Sequence, residues 1–181
     1  MAARDFGDAI ALLEADHRRI EALLARFENS GCDGRREVIA RQICAEIKAH
    51  MTIEEEIFYP ALRGRIEDRL LDAAHVEHVG VKVLVRDIEA SAPDEDYYDA
   101  KLKMLSDEIA HHVKAAEWPT DGIFAQCLEA DVDLAELLDR MVARKEALLA
   151  PAESRQPDLV RKPAVALPQA RDQVQREPTE S

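Results

Sequence analysis

Four histidines and one glutamate are the residues of this 181-residue chain whose types and spacing could do chemistry together. His17, His50, His78 and His112 lie far apart in the chain, and Glu54 follows His50 by one helical turn. Imidazole nitrogens bind iron, zinc, copper and nickel, whereas carboxylate oxygens prefer harder ions and can bridge two of them. A mixed set of this kind predicts a transition-metal site and disfavours calcium and magnesium.

The elements that would position these side chains are four helices. Each histidine lies on a seam of apolar residues that recur in steps of three and four, the pattern of an amphipathic helix. Short connections between helices favour antiparallel neighbours, so we predict an all-α fold, an up-down-up-down four-helix bundle. The four seams run from Ile10 to Phe27, from Ile43 to Ala61, from Leu71 to Ile88 and from Tyr98 to Ala116.

The positions of the histidines relative to the turns predict that they meet at one depth of the bundle. His50 and His78 are equally far from Gly64, which marks the turn between their helices. At a rise of about 1.5 Å per residue, the other pairs differ in height by only about one helical turn. Burying several ionisable groups together costs several kcal/mol unless they are paired or bound to metal. We therefore favour a metal site over four separate core histidines.

The chain divides into a folded part and a tail. Residues 1–150 are predicted to form the bundle, with its core at about residues 8–118, and a C-terminal helical extension. Within the extension, helices are expected near Ile123 to Glu129 and Leu134 to Leu149, packed outside the bundle or capping it. Residues 151–181 hold five of the eight prolines and carry balanced charge, so this tail is predicted to be disordered.

Composition and charge exclude several classes of function. The net charge of -13 argues against nucleic acid and anionic membranes as partners. The three cysteines lack the paired spacing of a zinc ribbon and are interpreted as reduced thiols in a cytoplasmic protein. No nucleophilic triad or phosphate-binding loop is found, so we assign no catalytic residues and favour a protein that is not an enzyme.

Four short segments of the sequence resemble the hemerythrin-like (HHE cation-binding) family. They read Glu-Ala-Asp-His ending at His17, His-Met-Thr-Ile-Glu from His50 to Glu54, Glu-His ending at His78, and His-His ending at His112. The resemblance covers roughly residues 8–118. It implies a non-haem centre of two carboxylate-bridged iron ions, with these four histidines and Glu54 as ligands and an open position for a diatomic molecule such as oxygen or nitric oxide.

The resemblance suggests two further ligands, Glu117 and His75, although the helix positions expected for such ligands hold alanines. Glu117 stands five residues after His112, as the second bridging acid does in oxygen-carrying hemerythrins, whereas the seam position is Ala116. His75 stands three residues before His78, where the oxygen carriers use a spacing of four, occupied here by Ala74. With both residues the site has five histidines and two carboxylates. Without them it is suited to one metal ion, or to zinc.

The resemblance leaves three functions open. The protein binds or senses a diatomic ligand, or it is a di-iron enzyme acting on peroxide or repairing iron centres, or it is an interaction module that has lost its metal. Ligation by many histidines and few acids favours reversible binding. A ferritin-like oxidase, whose helices carry Glu-x-x-His, is disfavoured. Glu14 and Glu108 precede His17 and His111 at that spacing but lie off their seams, and the second seam presents His50 and Glu54 in the opposite order.

Overall fold

The structure, a computed structural model, describes residues 6–31 and 35–150, and the described chain is helical without a strand. The tail that we predict to be disordered lies outside these residues. The helices are α1 Ala9–Glu28, α2 Arg35–Ile53, a π-helical turn Glu54–Phe58 that continues α2, α3 Tyr59–Leu62, α4 Asp68–Ala90, α5 Tyr98–Ala116, α6 Ile123–Glu129 and α7 Leu134–Leu149.

The four long segments form the predicted bundle. Helix α1 packs against α2 and α5, and α4 packs against the same two helices, so the four enclose one core. Helix α7 lies outside this ring, against α1 and α2. The all-α four-helix bundle with an additional C-terminal helix is therefore confirmed.

Local sequence signals explain where the helices begin. The side chain of Asp8 accepts a hydrogen bond of 2.9 Å from the backbone N–H of Ala11 and caps α1. Asp133 caps α7 in the same way through the N–H groups of Ala135 and Glu136. Such side chains satisfy backbone donors that the first turn of a helix leaves without partners.

The π-helical turn has a cause in the sequence. Pro60 has no N–H to donate to the carbonyl of Glu56, and its ring would crowd that carbonyl in a regular α-helix. The N–H of Tyr59 bonds instead to the carbonyl of Glu54, five residues back. This wider turn lets the long second helix continue past Pro60, and it begins at the glutamate of the predicted metal site.

The core consists of two apolar clusters separated by the histidines. One contains Leu13, Ile53, Ala74 and Ala116, and the other contains Ile20, Ile47, Val81 and Ile109. On each of the four long segments, the histidine falls between a residue of one cluster and a residue of the other. The polar groups thus form a cross-section through the middle of the bundle.

None of the helices in the part of the chain that the structure describes is both long and apolar enough to span a membrane.

Candidate metal centre

Four imidazole rings, one from each long segment, converge at the centre of the bundle. His17, His50, His78 and His112 are each at most 3% exposed. The Nε2 atoms of His17 and His50 are 3.2 Å apart, although these residues come from α1 and α2. The ring centres of His78 and His112 are 5.0 Å apart across α4 and α5. The inward Nε2 atoms therefore face a common space.

Glu54 places a carboxylate among these rings. Its side chain has no exposed surface. Its Oε2 atom lies 3.2 Å from Nε2 of His50, 3.3 Å from Nε2 of His78 and 3.6 Å from Nε2 of His112. Burial by itself raises the pKa of Glu54, but the surrounding imidazoles outweigh burial and hold that pKa far below its usual value. The carboxylate is charged and available as a ligand.

The donors at this centre fit a transition-metal ion. Burying polar atoms without partners is unfavourable by about 1–3 kcal/mol each, so a cluster of such atoms needs an explanation. Imidazole nitrogen and carboxylate oxygen together suit iron and zinc. One ligand atom from each of His17, His50, Glu54 and His112 lies within 4.8 Å of all the others. The unpartnered atoms facing the centre are Nε2 of His78, Nε2 of His112 and both oxygens of Glu54.

The outer nitrogen of every ring faces a carboxylate. Such a carboxylate orients a metal-binding imidazole and favours the tautomer that carries its proton on Nδ1. Burial, reinforced by His50, lowers the pKa of His17 to about 4, so this ring is neutral at pH 7 with its Nε2 lone pair directed inward. The partners of the four Nδ1 atoms are Glu117 for His17 at 2.7 Å, Asp16 for His50 at 3.6 Å, Glu55 for His78 at 2.9 Å and Glu77 for His112 at 3.5 Å.

Each of these four carboxylates is in turn paired with a basic side chain. Burial opposes ionisation of Glu117, but His17 and Arg18 lower its pKa. The pKa of Glu55 is lowered in the same way, against burial, by Lys82 and His78. The pKa of Glu77 is lowered first by its hydrogen bond with His112. The basic partners are Arg18 for Glu117, Lys145 for Asp16, Lys82 for Glu55 and His111 for Glu77.

The π-helical turn directs three consecutive glutamates to three different places. Glu54 points into the centre, and Glu55 binds Lys82 and the outer nitrogen of His78 on α4. Glu56 accepts a hydrogen bond of 2.7 Å from Nε of Arg144 on α7. One turn therefore supplies the central carboxylate, orients a neighbouring ring and contacts the outer helix.

Two aromatic side chains close the centre on the side of the α1 N-terminus. The ring of Phe124 stacks on His17 at 5.8 Å between centres. The ring of Tyr59 stacks on His78 at 5.7 Å, and its buried hydroxyl has no hydrogen-bond partner. Burial, followed by the charge of Glu54, raises the pKa of Tyr59 well above its usual value. Tyr59 is thus a neutral phenol beside the central carboxylate.

Two of the seven predicted site residues lie away from the centre. His75 is exposed, because the inward-facing position of that turn of α4 is Ala74. Glu117 directly follows the last residue of α5, and its carboxylate contacts the outer nitrogen of His17 and Arg18. Neither placement fits direct ligation, so the predicted roles of His75 as fifth histidine and Glu117 as second bridge do not agree with this geometry.

Three residues around the centre were not assigned a role from the sequence. Asp16 and Glu77 each precede a central histidine, yet each faces the ring of another helix, so adjacency in sequence alone would have misassigned them. Lys145 is a lysine on the apolar face of α7, between buried Val142 and partly buried Leu148. A lysine on an otherwise apolar helix face is the sequence signal that indicates a buried charged partner.

A small cavity of about 50 Å³ lies against His112 in the crevice between α4 and α5. Its walls are mostly apolar, and four of its lining residues are alanines. A single water molecule needs roughly 10–15 Å³ by the same kind of measure, so the cavity has room for a diatomic molecule. The alanines are Ala73, Ala74, Ala115 and Ala116.

Comparison with known proteins relates this centre to one family. The family model described as hemerythrin HHE cation binding domain matches residues 8–117. The solved structure of a hemerythrin HHE cation binding domain-containing protein from Mycobacterium kansasii is similar in fold, with a TM-score of 0.66 and 22% sequence identity, over 78% of this chain and 86% of that one. A DNA nickase from Nostoc sp. is 24% identical over 106 residues, which span 59% of this chain but only 30% of that relative.

Proposed function

Because the chain belongs to the hemerythrin HHE cation-binding family, we propose that it is a non-haem iron protein that binds or senses a small diatomic ligand, oxygen or nitric oxide. The observation that carries this proposal is the set of unpartnered Nε2 and carboxylate atoms that face one another in a fully buried space. Imidazole nitrogen and carboxylate oxygen suit iron.

We propose two iron ions, bridged by Glu54. The four rings form two close pairs, His17 with His50 at 4.7 Å and His78 with His112 at 5.0 Å between ring centres. The distances between the pairs are longer, for example 5.8 Å between His50 and His112. Two ions sharing Glu54 would fit this grouping, whereas the ligand atoms of His17, His50, Glu54 and His112, all within 4.8 Å of one another, would fit one ion. One ion per chain is the competing arrangement, since His75 and Glu117 lie away from the centre.

A diatomic ligand is favoured by the surroundings of the centre. When bound, iron supplies a coordination position that a small molecule can occupy. The chain supplies the rest: a carboxylate faces the outer nitrogen of each imidazole and favours the tautomer with its proton there, and the two apolar clusters lie on either side of the centre. The cavity of about 50 Å³ beside His112 is too small for most organic substrates.

The test is anaerobic loading of the purified chain with ferrous iron, followed by metal analysis and exposure to oxygen, azide or nitric oxide. We expect two irons per chain and a visible absorption that changes with each added ligand. One iron per chain would overturn the bridged pair but keep the iron site. A colourless protein after reoxidation, with no ligand-dependent absorption, would contradict the binding function.

A second candidate, peroxide consumption, is favoured by one observation. Tyr59 holds an unpartnered phenol beside Glu54, where it could donate a hydrogen bond or a proton to a bound molecule. Iron-loaded protein should then consume peroxide over many turnovers, and Tyr59→Phe should slow this turnover while metal content stays the same. Consumption that stops after one equivalent per site would exclude this enzyme function.

The DNA nicking named for the Nostoc relative is not part of the proposal. The chain spans 30% of that protein, and a net charge of -13 opposes contact with phosphates. We propose no nucleic acid or membrane partner and a cytoplasmic location.

A further inference from the structure

Helix α7 lies outside the segment that the family model matches, yet it contributes a charged residue to the surroundings of the metal centre. Its apolar face packs on α1 and α2 through Leu137, Leu138, Met141 and Val142. Lys145 continues this face and is only 5% exposed. A lysine is rarely buried without a partner, because removing its charge from water is strongly unfavourable.

The partners of Lys145 are two buried acids of the bundle. Its Nζ atom binds Oδ1 of Asp16 and lies 3.7 Å from Oε2 of Glu46. Asp16 is 2% exposed and Glu46 is 5% exposed. The other oxygen of Glu46 accepts a hydrogen bond of 2.7 Å from Arg19. Two acids and two bases therefore neutralise one another across the contact between α7 and the bundle.

Asp16 connects this group of charges to the centre. Its Oδ1 is held by Lys145, and its Oδ2 lies 3.6 Å from Nδ1 of His50. Neither Oδ2 of Asp16 nor Nδ1 of His50 has a hydrogen-bond partner. Lys145 thus fixes the orientation of the carboxylate that faces the outer side of a central imidazole. Arg18, Lys82 and His111, which pair with the other three outer carboxylates, come from helices of the bundle itself.

We propose that Lys145 is a positioning residue for His50, and that docking of α7 and metal binding stabilise each other. When α7 is docked, Asp16 is oriented toward His50, and the ring directs Nε2 to the metal. When α7 detaches from the bundle, Asp16 and Glu46 lose their contacts with the ammonium group of Lys145. Thermodynamic linkage makes this effect reciprocal. If docking of α7 increases metal affinity by some factor, metal binding must shift the equilibrium between detached and docked α7 toward the docked state by the same factor. This inference rests on the metal-binding part of the proposed function.

The experiment uses the full chain with Lys145→Met, and Arg144→Met as the matched control. Arg144 is the neighbouring residue of α7, but its partner Glu56 is exposed and does not face a histidine. Affinity for ferrous iron and for zinc is measured by chelator competition under anaerobic conditions. Amide hydrogen exchange of residues 134–149 is measured with and without zinc.

We expect Lys145→Met to weaken metal binding about tenfold, the lower end of the range of about 10–100-fold for losing the direct partner of a metal-binding histidine, because Lys145 acts on His50 through Asp16. Arg144→Met should stay within about threefold of the parent chain, the range of a weak exposed ion pair. In the parent, zinc should slow exchange in α7, and this slowing should disappear in Lys145→Met. Lys145→Arg should restore both properties in part. These readouts separate positioning from a general loss of stability, which would raise exchange with and without metal alike.

Two results would overturn the inference. One is parental metal affinity in Lys145→Met. The other is α7 exchange that zinc leaves unchanged although it binds stoichiometrically. If Lys145→Met does not fold, Asp16→Asn with Lys145→Met removes both charges, and this folded variant must show the same loss of affinity. Failure of the parent to bind any metal would instead contradict the proposed function.

Discussion

At the scale of single residues, the centre is organised around one carboxylate. Glu54 is the only acid whose oxygen lies within 3.6 Å of the Nε2 atoms of three central histidines in the described chain. An imidazole binds a metal only through an uncharged nitrogen, so histidine ligands cannot balance the charge of a cation in a buried space. Glu54 therefore supplies the charge compensation, and the other acids act through the outer nitrogens of the rings.

Replacement of Glu54 tests this division of roles. Glu54→Gln keeps the size of the side chain but removes its charge and one metal-binding oxygen. We expect metal content after dialysis to fall below half that of the parent, while the helical circular dichroism persists. Glu56→Gln, two residues away on the exposed side of the same turn, should retain full metal content. Equal metal content in both variants would show that Glu54 is not a ligand.

Replacement of Glu117 separates two roles for that residue. If it orients His17, as the 2.7 Å contact indicates, Glu117→Gln should weaken metal binding about 10–100-fold and leave the saturated stoichiometry unchanged. If it bridges two ions, saturation should fall by one ion per chain. Glu21→Gln is the control, because Glu21 also pairs with Arg18 but has no contact with a central ring. Titration with ferrous iron distinguishes the outcomes.

At the scale of elements, the π-helical turn changes which side of the second long segment faces the core. Before the turn, α2 directs His50 inward; Phe58, the last residue of the turn, and Leu62, at the end of α3, pack into the apolar cluster that also contains Phe124. A regular helix through Pro60 would lose a hydrogen bond and crowd the carbonyl of Glu56. The wider turn avoids both effects. Its physical origin is therefore local, whereas its consequence is the placement of Glu54 and Glu55.

The crevice between α4 and α5 provides a prediction about ligand access. Ala115 lines the cavity beside His112 and is exposed. Ala115→Leu should narrow this crevice, so stopped-flow association of nitric oxide with the iron-loaded protein should slow at least severalfold without loss of iron. Ala110→Leu adds the same volume at an exposed position of α5 that does not line the cavity, and it should leave the rate unchanged. Equal rates in both variants would place ligand access elsewhere.

At the scale of the whole molecule, the metal site separates two apolar clusters that would otherwise be continuous. The cross-section contains five ionisable side chains, each at most 3% exposed. Nitrogen and carboxylate atoms from these side chains face one another within the buried cross-section. An ion held by His17, His50, Glu54 and His112, whose ligand atoms lie within 4.8 Å of one another, would join α1, the second long segment and α5, so we expect metal binding to stabilise the bundle.

Metal removal measures this coupling. Zinc at a free concentration one hundred times its dissociation constant should stabilise the folded chain by about 2.7 kcal/mol if it binds only the native state. Denaturant unfolding of the chelator-treated protein, with and without zinc, gives this difference. In the Glu54→Gln variant, zinc should stabilise the folded chain by less than half as much as in the parent. A parent protein whose unfolding midpoint does not respond to zinc or ferrous iron would support the metal-depleted interaction module.

The helices, their antiparallel order and the common depth of four histidines and Glu54 were determined by the sequence itself. These features depend on rules that act within one segment: a period of 3.6 residues, a fixed rise per residue, and turn residues that end each helix. The short helix Ile123–Glu129 and the longer Leu134–Leu149 were predicted for the same reason. The family resemblance, now shown over residues 8–117, followed from the same inward positions.

Only the tertiary structure decided which acid serves which ring. Asp16 precedes His17 but faces His50, and Glu77 precedes His78 but faces His112, because these contacts depend on how neighbouring helices are rotated against each other. The same rotation leaves His75 exposed, and the end of α5 turns Glu117 to the outer side of His17. Lys145 reaches Asp16 from a part of the chain more than a hundred residues away, and no local period predicts such a contact.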